Sequence, residues 1–277
     1  MKILLMGATG NAGTPAVKAL QAKGIRPTVA VRDIEKAQAK LGAGVDYVPF
    51  DYFDPATYHP TLEGVDRLFL IAPPPTKDPQ IVKQIVQLAH EKGVQLVVFQ
   101  SGNTSGRIKG KPLHTNEQNL KASDINWCIL RPGWFMQNFH SWMGTHLEEG
   151  ELVMPTGDGK VAFIDTQDLG AAIAEVVSTD GHEGKTYTLT GPESLDHYQV
   201  ASILSESTGK KIEYLDLSEE AYIQKVVQKG WSEKNATYAA YLFRLVREGS
   251  EAETSEDLRT LLGRKPRTFR EFAKDEF

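Results

Sequence analysis

A glycine-spaced turn, Gly7-Ala8-Thr9-Gly10-Asn11-Ala12-Gly13, directly follows the apolar run Ile3-Leu4-Leu5-Met6 and opens a helix-period stretch over residues 11–23. This order constrains the fold more than any other feature of the chain. Glycine makes up 24 of 277 residues, so the spacing alone is weak; the apolar run before it and the helical pattern after it give it meaning. Bare glycine positions let the backbone approach a pyrophosphate closely, and the unpaired N–H groups of the following helix meet its charge. Gly7, Thr9, Gly10, Asn11, Ala12 and Gly13 are therefore the first candidates for cofactor binding. The alternative is a structural turn with no ligand.

The pattern around the turn extends through the first half of the chain. Strand-like runs at 2–6, 27–31, 46–50, 67–72, 95–100 and 127–130 alternate with helix-period stretches at 11–23, 34–41, 79–92 and 115–123. Such alternation is written by a parallel sheet flanked by helices. In the stretch from Pro79, Ile81, Ile85, Leu88 and Ala89 are expected on one face. After Arg131-Pro132-Gly133 the regularity breaks into loops, with a short helix expected around 142–147, a short strand at 163–164, a helix at 166–178 headed by Asp165, and a strand at 185–190. The last third reads as helices at 197–208, 219–229, 234–248 and 256–262. The expectation is an α/β chain: a Rossmann-type doubly wound parallel sheet over 1–132, then a segment over 133–277 that returns to the core at about 161–190 and carries a smaller, mostly helical C-terminal lobe.

Composition narrows the functional classes. A net charge of −5, with Lys and Arg scattered, gives no basic field for direct nucleic-acid binding. No run approaches the length of a membrane span, and none reads as a signal peptide. The single cysteine, Cys128, lies in the apolar run Trp127-Cys128-Ile129-Leu130 and reads as a small core residue; a reducing cytoplasmic setting is expected. The seven histidines are dispersed without metal-ligand spacing, so no metal is expected.

Arg32 closes the second strand, where an enzyme binding NAD would place an acid on the ribose 2′-hydroxyl. An arginine suits a 2′-phosphate, which favours NADP(H), with NAD(H) kept open because Asp33 follows. A solvated arginine at a strand exit is the alternative.

Further segments complete a pattern: Val31-Arg32-Asp33, Phe50-Asp51-Tyr52-Phe53-Asp54, Gly64-Val65-Asp66, Leu130-Arg131-Pro132-Gly133-Trp134-Phe135-Met136-Gln137-Asn138, Phe163-Ile164-Asp165 with Asp168, Leu189-Thr190-Gly191-Pro192-Glu193, and Gly263-Arg264-Lys265-Pro266-Arg267-Thr268-Phe269. With the turn, these make the chain resemble, over essentially its whole length, the NmrA-like group of atypical short-chain dehydrogenases/reductases, which includes NADPH-dependent quinone reductases and triphenylmethane reductases. The resemblance implies that Asp51 and Tyr52 lie near the adenine, that Ala72 and Pro73 follow the fourth strand beneath the ribose and pyrophosphate, and that Gly133, Trp134 and Phe135 border the nicotinamide. Tyr52 and Trp134 read equally well as core aromatics.

One part of the short-chain dehydrogenase pattern is missing. The Tyr-x-x-x-Lys pair, in which tyrosine gives a proton to a carbonyl oxygen, is absent; the corresponding stretch reads Pro112-Leu113-His114-Thr115-Asn116-Glu117-Gln118. His114 stands where the proton donor would be and Gln118 where the lysine would be; the other reading of His114 is a polar residue near a helix start. Ser101, after the fifth strand, falls where the family orients substrate, or else only caps its loop. Ser101 and His114 are thus the catalytic candidates. The aromatic-rich run 134–142 offers Gln137, Asn138 and His140 to a flat substrate pocket, or forms core. Two functions remain: an NAD(P)H-dependent oxidoreductase passing hydride to a flat electron-poor small molecule such as a quinone, and a non-catalytic NAD(P) redox sensor acting on a regulatory protein partner. A homodimer is compatible with either.

Overall fold

Four consecutive apolar residues with no exposure form β1 (Ile3–Met6), and the glycine turn after them releases α1 (Gly13–Ala22). These elements belong to a computed structural model that describes residues 1–74 and 76–277. The chain continues through β2 (Thr28–Val31), α2 (Ile34–Leu41), β3 (Asp46–Pro49), a 3-10 turn (Pro55–Thr57), α3 (Tyr58–Leu62), β4 (Arg67–Ile71), α4 (Pro79–Glu91), β5 (Leu96–Gln100), α5 (Pro112–Lys121) and β6 (Trp127–Pro132). Three 3-10 turns lead to β7 (Glu151–Met154), followed by α6 (Thr166–Ser178), β8 (Lys185–Leu189), α7 (His197–Thr208), β9 (Glu213–Asp216), α8 (Glu219–Gln228), α9 (Glu233–Arg247), α10 (Asp257–Leu262) and α11 (Phe269–Glu276).

Two units result. The first comprises Met1–Pro132, Thr166–Leu189 and Asp257–Arg264. Its seven strands run in the order β3-β2-β1-β4-β5-β6-β8, every neighbouring pair parallel. The order reverses between β1 and β4, which is the switch point where open α/β sheets collect ligands at their carboxyl ends. One layer of core, including Leu4, Met6, Leu68, Leu70, Val97 and Phe99, receives α4 and α5. On α4, Val82, Ile85, Val86, Leu88 and Ala89 are buried and Ile81 only partly, so the apolar stripe lies slightly round from the expected one. The helix starts at Pro79 because the Asp78 carboxylate accepts the Gln80 N–H at 2.9 Å and proline needs no partner at the first position. Cys128 is fully buried in β6, and desolvation pushes its thiol up to about 12, as expected of a core cysteine. The six-residue helix α10 joins this unit, with the Asp257 carboxylate taking the Thr188 N–H at 2.8 Å and Arg264 pairing with Asp168 at 2.6 Å.

The second unit comprises Gly133–Asp165, Thr190–Glu256 and Lys265–Phe277. It contains a two-stranded parallel sheet, β7 with β9, absent from the sequence expectation. Its core gathers Met136, Phe139, Phe163, Tyr222, Phe243, Phe269 and Phe272 among others. Its helices begin on clear caps: Asp196 with Gln199 on α7, Ser218 on α8, Ser232 on α9, and Thr268 with Glu271 on α11. Two expectations are corrected here. The helix expected around 142–147 is instead two 3-10 turns, Trp142–Gly144 and Leu147–Glu149, parted at His146 (φ −116°, ψ 9°), and a third, Met136–His140, precedes them and ends at Ser141 (φ −136°, ψ −118°). The strand expected at 163–164 is only an isolated bridge from Ile164 to Phe135.

Candidate functional site

The glycine turn is built for close backbone approach. Gly7 has φ +77°, and a β-carbon on it would press into Ile71 of the neighbouring β4. A β-carbon on Gly13 would stand 2.6 Å from Ala8 Cα and 2.8 Å from the Gly7 carbonyl carbon, and closer still to the Gly7 oxygen. The turn closes with Gly10 N–H to Gly7 O and Thr14 N–H to Gly10 O, both 3.0 Å. Among the described residues, the N–H groups of Asn11 and Ala12 have no backbone acceptor, and α1 has neither a side-chain cap nor an acid in its first turn. The positive end of the helix therefore faces outward uncompensated, which fits a phosphate. Thr9, Gly10 and Asn11 are exposed, and Lys40 holds the Thr9 carbonyl at 2.8 Å.

At the end of β2 the two neighbouring charges part company. The Asp33 carboxylate caps α2, accepting the Lys36 N–H at 2.9 Å. Arg32 is exposed, and no hydrogen bond or ion pair engages its guanidinium among the described residues. After β3, Asp51 accepts the Phe53 N–H at 2.9 Å, while the Tyr52 hydroxyl donates to the Ile71 carbonyl at 2.8 Å and its ring meets Phe50 edge-on. Burial holds the Tyr52 phenol well above its ordinary value, so it stays protonated. Ala72 and Pro73, leaving β4, are buried.

The carboxyl end of β5 carries Ser101, 6% exposed, whose Oγ has no hydrogen-bond partner among the described residues. His114 sits on the first turns of α5 with Nδ1 3.1 Å from the Gly106 carbonyl, so that nitrogen must carry the proton. Gln118 is on the exposed side of α5, whereas Asn116 and Glu117 are fully buried. Glu117 receives Arg131 of β6 in a two-pronged pair, with Nε at 2.9 Å. The sequence reading passed over Glu117 with Arg131, and also Lys77, whose carbonyl is bound by Asn116 at 3.0 Å.

Gly133, Trp134, Phe135, Gln137, Asn138 and His140 lie in the second unit. Trp134 packs on Trp142 and Phe243 at ring separations of 5.5 and 5.6 Å, and Phe135 makes the bridge to Ile164. Gln137 donates to the Asp165 carboxylate at 2.7 Å, which Arg267 also binds at 2.8 Å. Asn138 is half-buried in the first 3-10 turn. The His140 ring stacks on Phe277 at 4.5 Å with Glu276 3.4 Å from Nε2. Much of the 134–142 run is thus core of this unit.

In the first unit a groove of about 290 Å³ runs between α4 and α5, lined by Val82, Val86, Asn119 and Asp124 among others; it adjoins the chain entering β6, at the opposite ends of the strands from the turn. Among the described residues, no cluster of three or more His, Cys, Asp or Glu side chains is placed to hold a metal, and no helix is long and apolar enough to cross a membrane.

Compared with known proteins, residues 1–273 match the NmrA-like family. The NAD(P)H azoreductase of Xenophilus azovorans is 32% identical over 98% of this chain and 96% of its own length. The prestalk A differentiation protein A of Dictyostelium discoideum is also 32% identical, over 100% of this chain and 93% of its own. Among solved structures, the NADPH-dependent quinone oxidoreductase of Escherichia coli, complexed with NADPH, superposes with a TM-score of 0.90 at 28% identity, covering 99% of both chains.

Proposed function

The chain belongs to the NmrA-like family, and on that premise we propose that it is an NAD(P)H-dependent oxidoreductase, preferring NADP(H), that passes hydride to a flat electron-poor acceptor such as a quinone. The observation that carries the reading is the turn at Gly7–Gly13, where the backbone is bare enough for a pyrophosphate and the uncapped α1 N-terminus faces outward. Relatives whose names specify azo and quinone reduction support the choice of acceptor.

Within the first unit the assignments follow from chemistry. The turn, with Thr9 and Asn11 beside it, binds phosphate through N–H groups. Arg32, without a protein partner among the described residues, takes the 2′-phosphate through its planar fork, and the commitment of Asp33 to the α2 cap removes the competing acid. Asp51 and Tyr52 flank the adenosine side, and Ala72 with Pro73 gives an apolar surface after β4. When bound, the nicotinamide supplies two electrons and one hydrogen as hydride; the second proton reaches the reduced acceptor from solvent. A substrate that is already electrophilic asks the protein mainly for position and exclusion of water, so the lost Tyr-x-x-x-Lys is tolerable. Ser101 Oγ, buried and unpartnered at the end of β5, is the side chain assigned to orient the acceptor.

The second reading, a dinucleotide sensor acting on a regulatory partner, is favoured by one feature: the Tyr-x-x-x-Lys proton donor is absent from the sequence. Anaerobic stopped-flow mixing with NADPH and a panel of quinones and azo dyes separates the two. The oxidoreductase reading expects acceptor-dependent NADPH oxidation well above the uncatalysed rate; NADPH binding with no such acceleration for any acceptor refutes it and leaves the sensor.

A further inference from the structure

Lys77 is the only non-glycine residue with positive φ among the described residues, at +55°. A lysine there is uncommon, because only a few per cent of non-glycine residues occupy that region, and such backbone persists where surrounding contacts over-determine it. Three contacts do so here. The Lys77 N–H binds the Pro73 carbonyl at 2.7 Å, its carbonyl accepts Asn116 Nδ2 at 3.0 Å, and the next residue, Asp78, is fixed as the cap of α4. Asn116 is fully buried on α5, and its Oδ1 has no partner among the described residues.

The Lys77 side chain is half-buried, and no carboxylate pairs with it among the described residues; desolvation holds its ammonium below the ordinary lysine value. Asp78 offers no relief, since its carboxylate takes the Gln80 N–H. A partly desolvated ammonium without a counter-ion favours an anion. The fold sets that ammonium on the right loop. Strands β1 and β4 are paired in register, Leu5 beside Phe69, and Ile71 packs beneath Gly7. Ala72 and Pro73 therefore leave the sheet next to the glycine turn, and the bond from the Lys77 N–H to the Pro73 carbonyl ties Lys77 to that point. The turn itself has no Lys or Arg, and Lys40, which reaches it, donates to the Thr9 carbonyl.

We propose that Lys77 is a phosphate-binding residue whose ammonium pairs with the dinucleotide pyrophosphate, with Asn116 as the positioning residue that sets its backbone. This rests on the reading that the turn holds a dinucleotide, and it locates on the loop after β4 the cofactor-binding cation that α5 lacks.

The test is equilibrium titration of the full chain with NADPH and with 2′-AMP, which carries the 2′-phosphate but no pyrophosphate. Lys77→Met is expected to weaken NADPH by about tenfold to a hundredfold, the range for losing a hydrogen bond between charged groups, and to leave 2′-AMP unchanged. Lys77→Arg retains the charge and should recover most of the loss. Asn116→Leu should weaken NADPH in the wild-type background and add nothing in the Lys77→Met background, whereas a purely structural role would cost the same in both. NADPH affinity of Lys77→Met within twofold of wild type overturns the proposal, as does a parallel loss for NADPH and 2′-AMP. Failure of the wild-type chain to bind NADPH sinks the dinucleotide reading as well, so the two failures are distinct.

Discussion

Replacing Gly13 with alanine adds one methyl group where the backbone leaves no room. The new β-carbon would lie 2.6 Å from Ala8 Cα and 2.8 Å from the Gly7 carbonyl carbon, and neither is the end of a flexible side chain. Ordinary carbon contacts lie at about 3.5–4.0 Å, so α1 must retreat from the turn by about 1 Å. Overpacking of this kind costs about 1–3 kcal/mol, and the same retreat moves the N–H groups of the first helical turn out of hydrogen-bond range of a phosphate. Gly10→Ala is the control, because its β-carbon meets only the Gly7 oxygen, at 3.3 Å. Urea unfolding and NADPH titration on both variants make the measurement. Gly13→Ala should lose stability and at least about tenfold in NADPH affinity, and Gly10→Ala should lose much less stability; its methyl would stand on backbone proposed to approach the pyrophosphate, so it is a control for packing alone. Gly13→Ala with wild-type unfolding and NADPH affinity within threefold would refute the packing argument.

Arg32→Ala should weaken NADPH by about tenfold or more while leaving NADH within threefold; equal losses in parallel titrations would remove the reason for preferring NADP(H). Glu117→Ala strands Arg131 opposite a buried position and should cost about 3–5 kcal/mol in urea unfolding, most of it recovered by Glu117→Leu with Arg131→Met; a loss below 1 kcal/mol contradicts the role given to this pair. His197 is fully buried against Thr156, and burial pushes its pKa down to about 3, so below pH 6.5 the unfolded chain binds a proton that the native chain refuses. Stability should therefore fall with pH between 6.5 and 3, by about 1.4 kcal/mol per unit from this group, with His146 and His182, both lowered by burial, adding in the same sense. His197→Asn should flatten the slope in urea unfolding at a series of pH values, and an unchanged slope would contradict this origin.

The parts of the fold that were legible in sequence carry local signals. The bounds 34–41, 166–178 and 197–208 agree with α2, α6 and α7; α2 has a capping Asp33 and a closing Gly42, and α7 has Asp196 and Gly209. Strands β7 and β9 were missed because four residues show too little alternation and the partners lie some sixty residues apart. The membership of α10 in the first unit was equally invisible, since it depends on Asp257 reaching Thr188 and Arg264 reaching Asp168. Helix α11 was a readable miss: Thr268-x-x-Glu271 is a capping box, and Phe269, Phe272 and Ala273 repeat at helical spacing. At the candidate site, the glycine turn was legible because close packing at Gly7 and Gly13 demands bare backbone at fixed spacing. Lys77 with Asn116, and Glu117 with Arg131, were not, because each is a contact between distant segments that no local pattern announces.

The central claim is that hydride leaves bound NADPH for an acceptor on this chain. Anaerobic single-turnover reaction of the wild-type protein with NADPH deuterated at the transferring position of C4, against unlabelled NADPH, tests it directly when a reactive quinone or azo dye is present. The account predicts acceptor-dependent oxidation slowed by a primary isotope effect. Oxidation no faster than the protein-free reaction, for every acceptor tried, would contradict it.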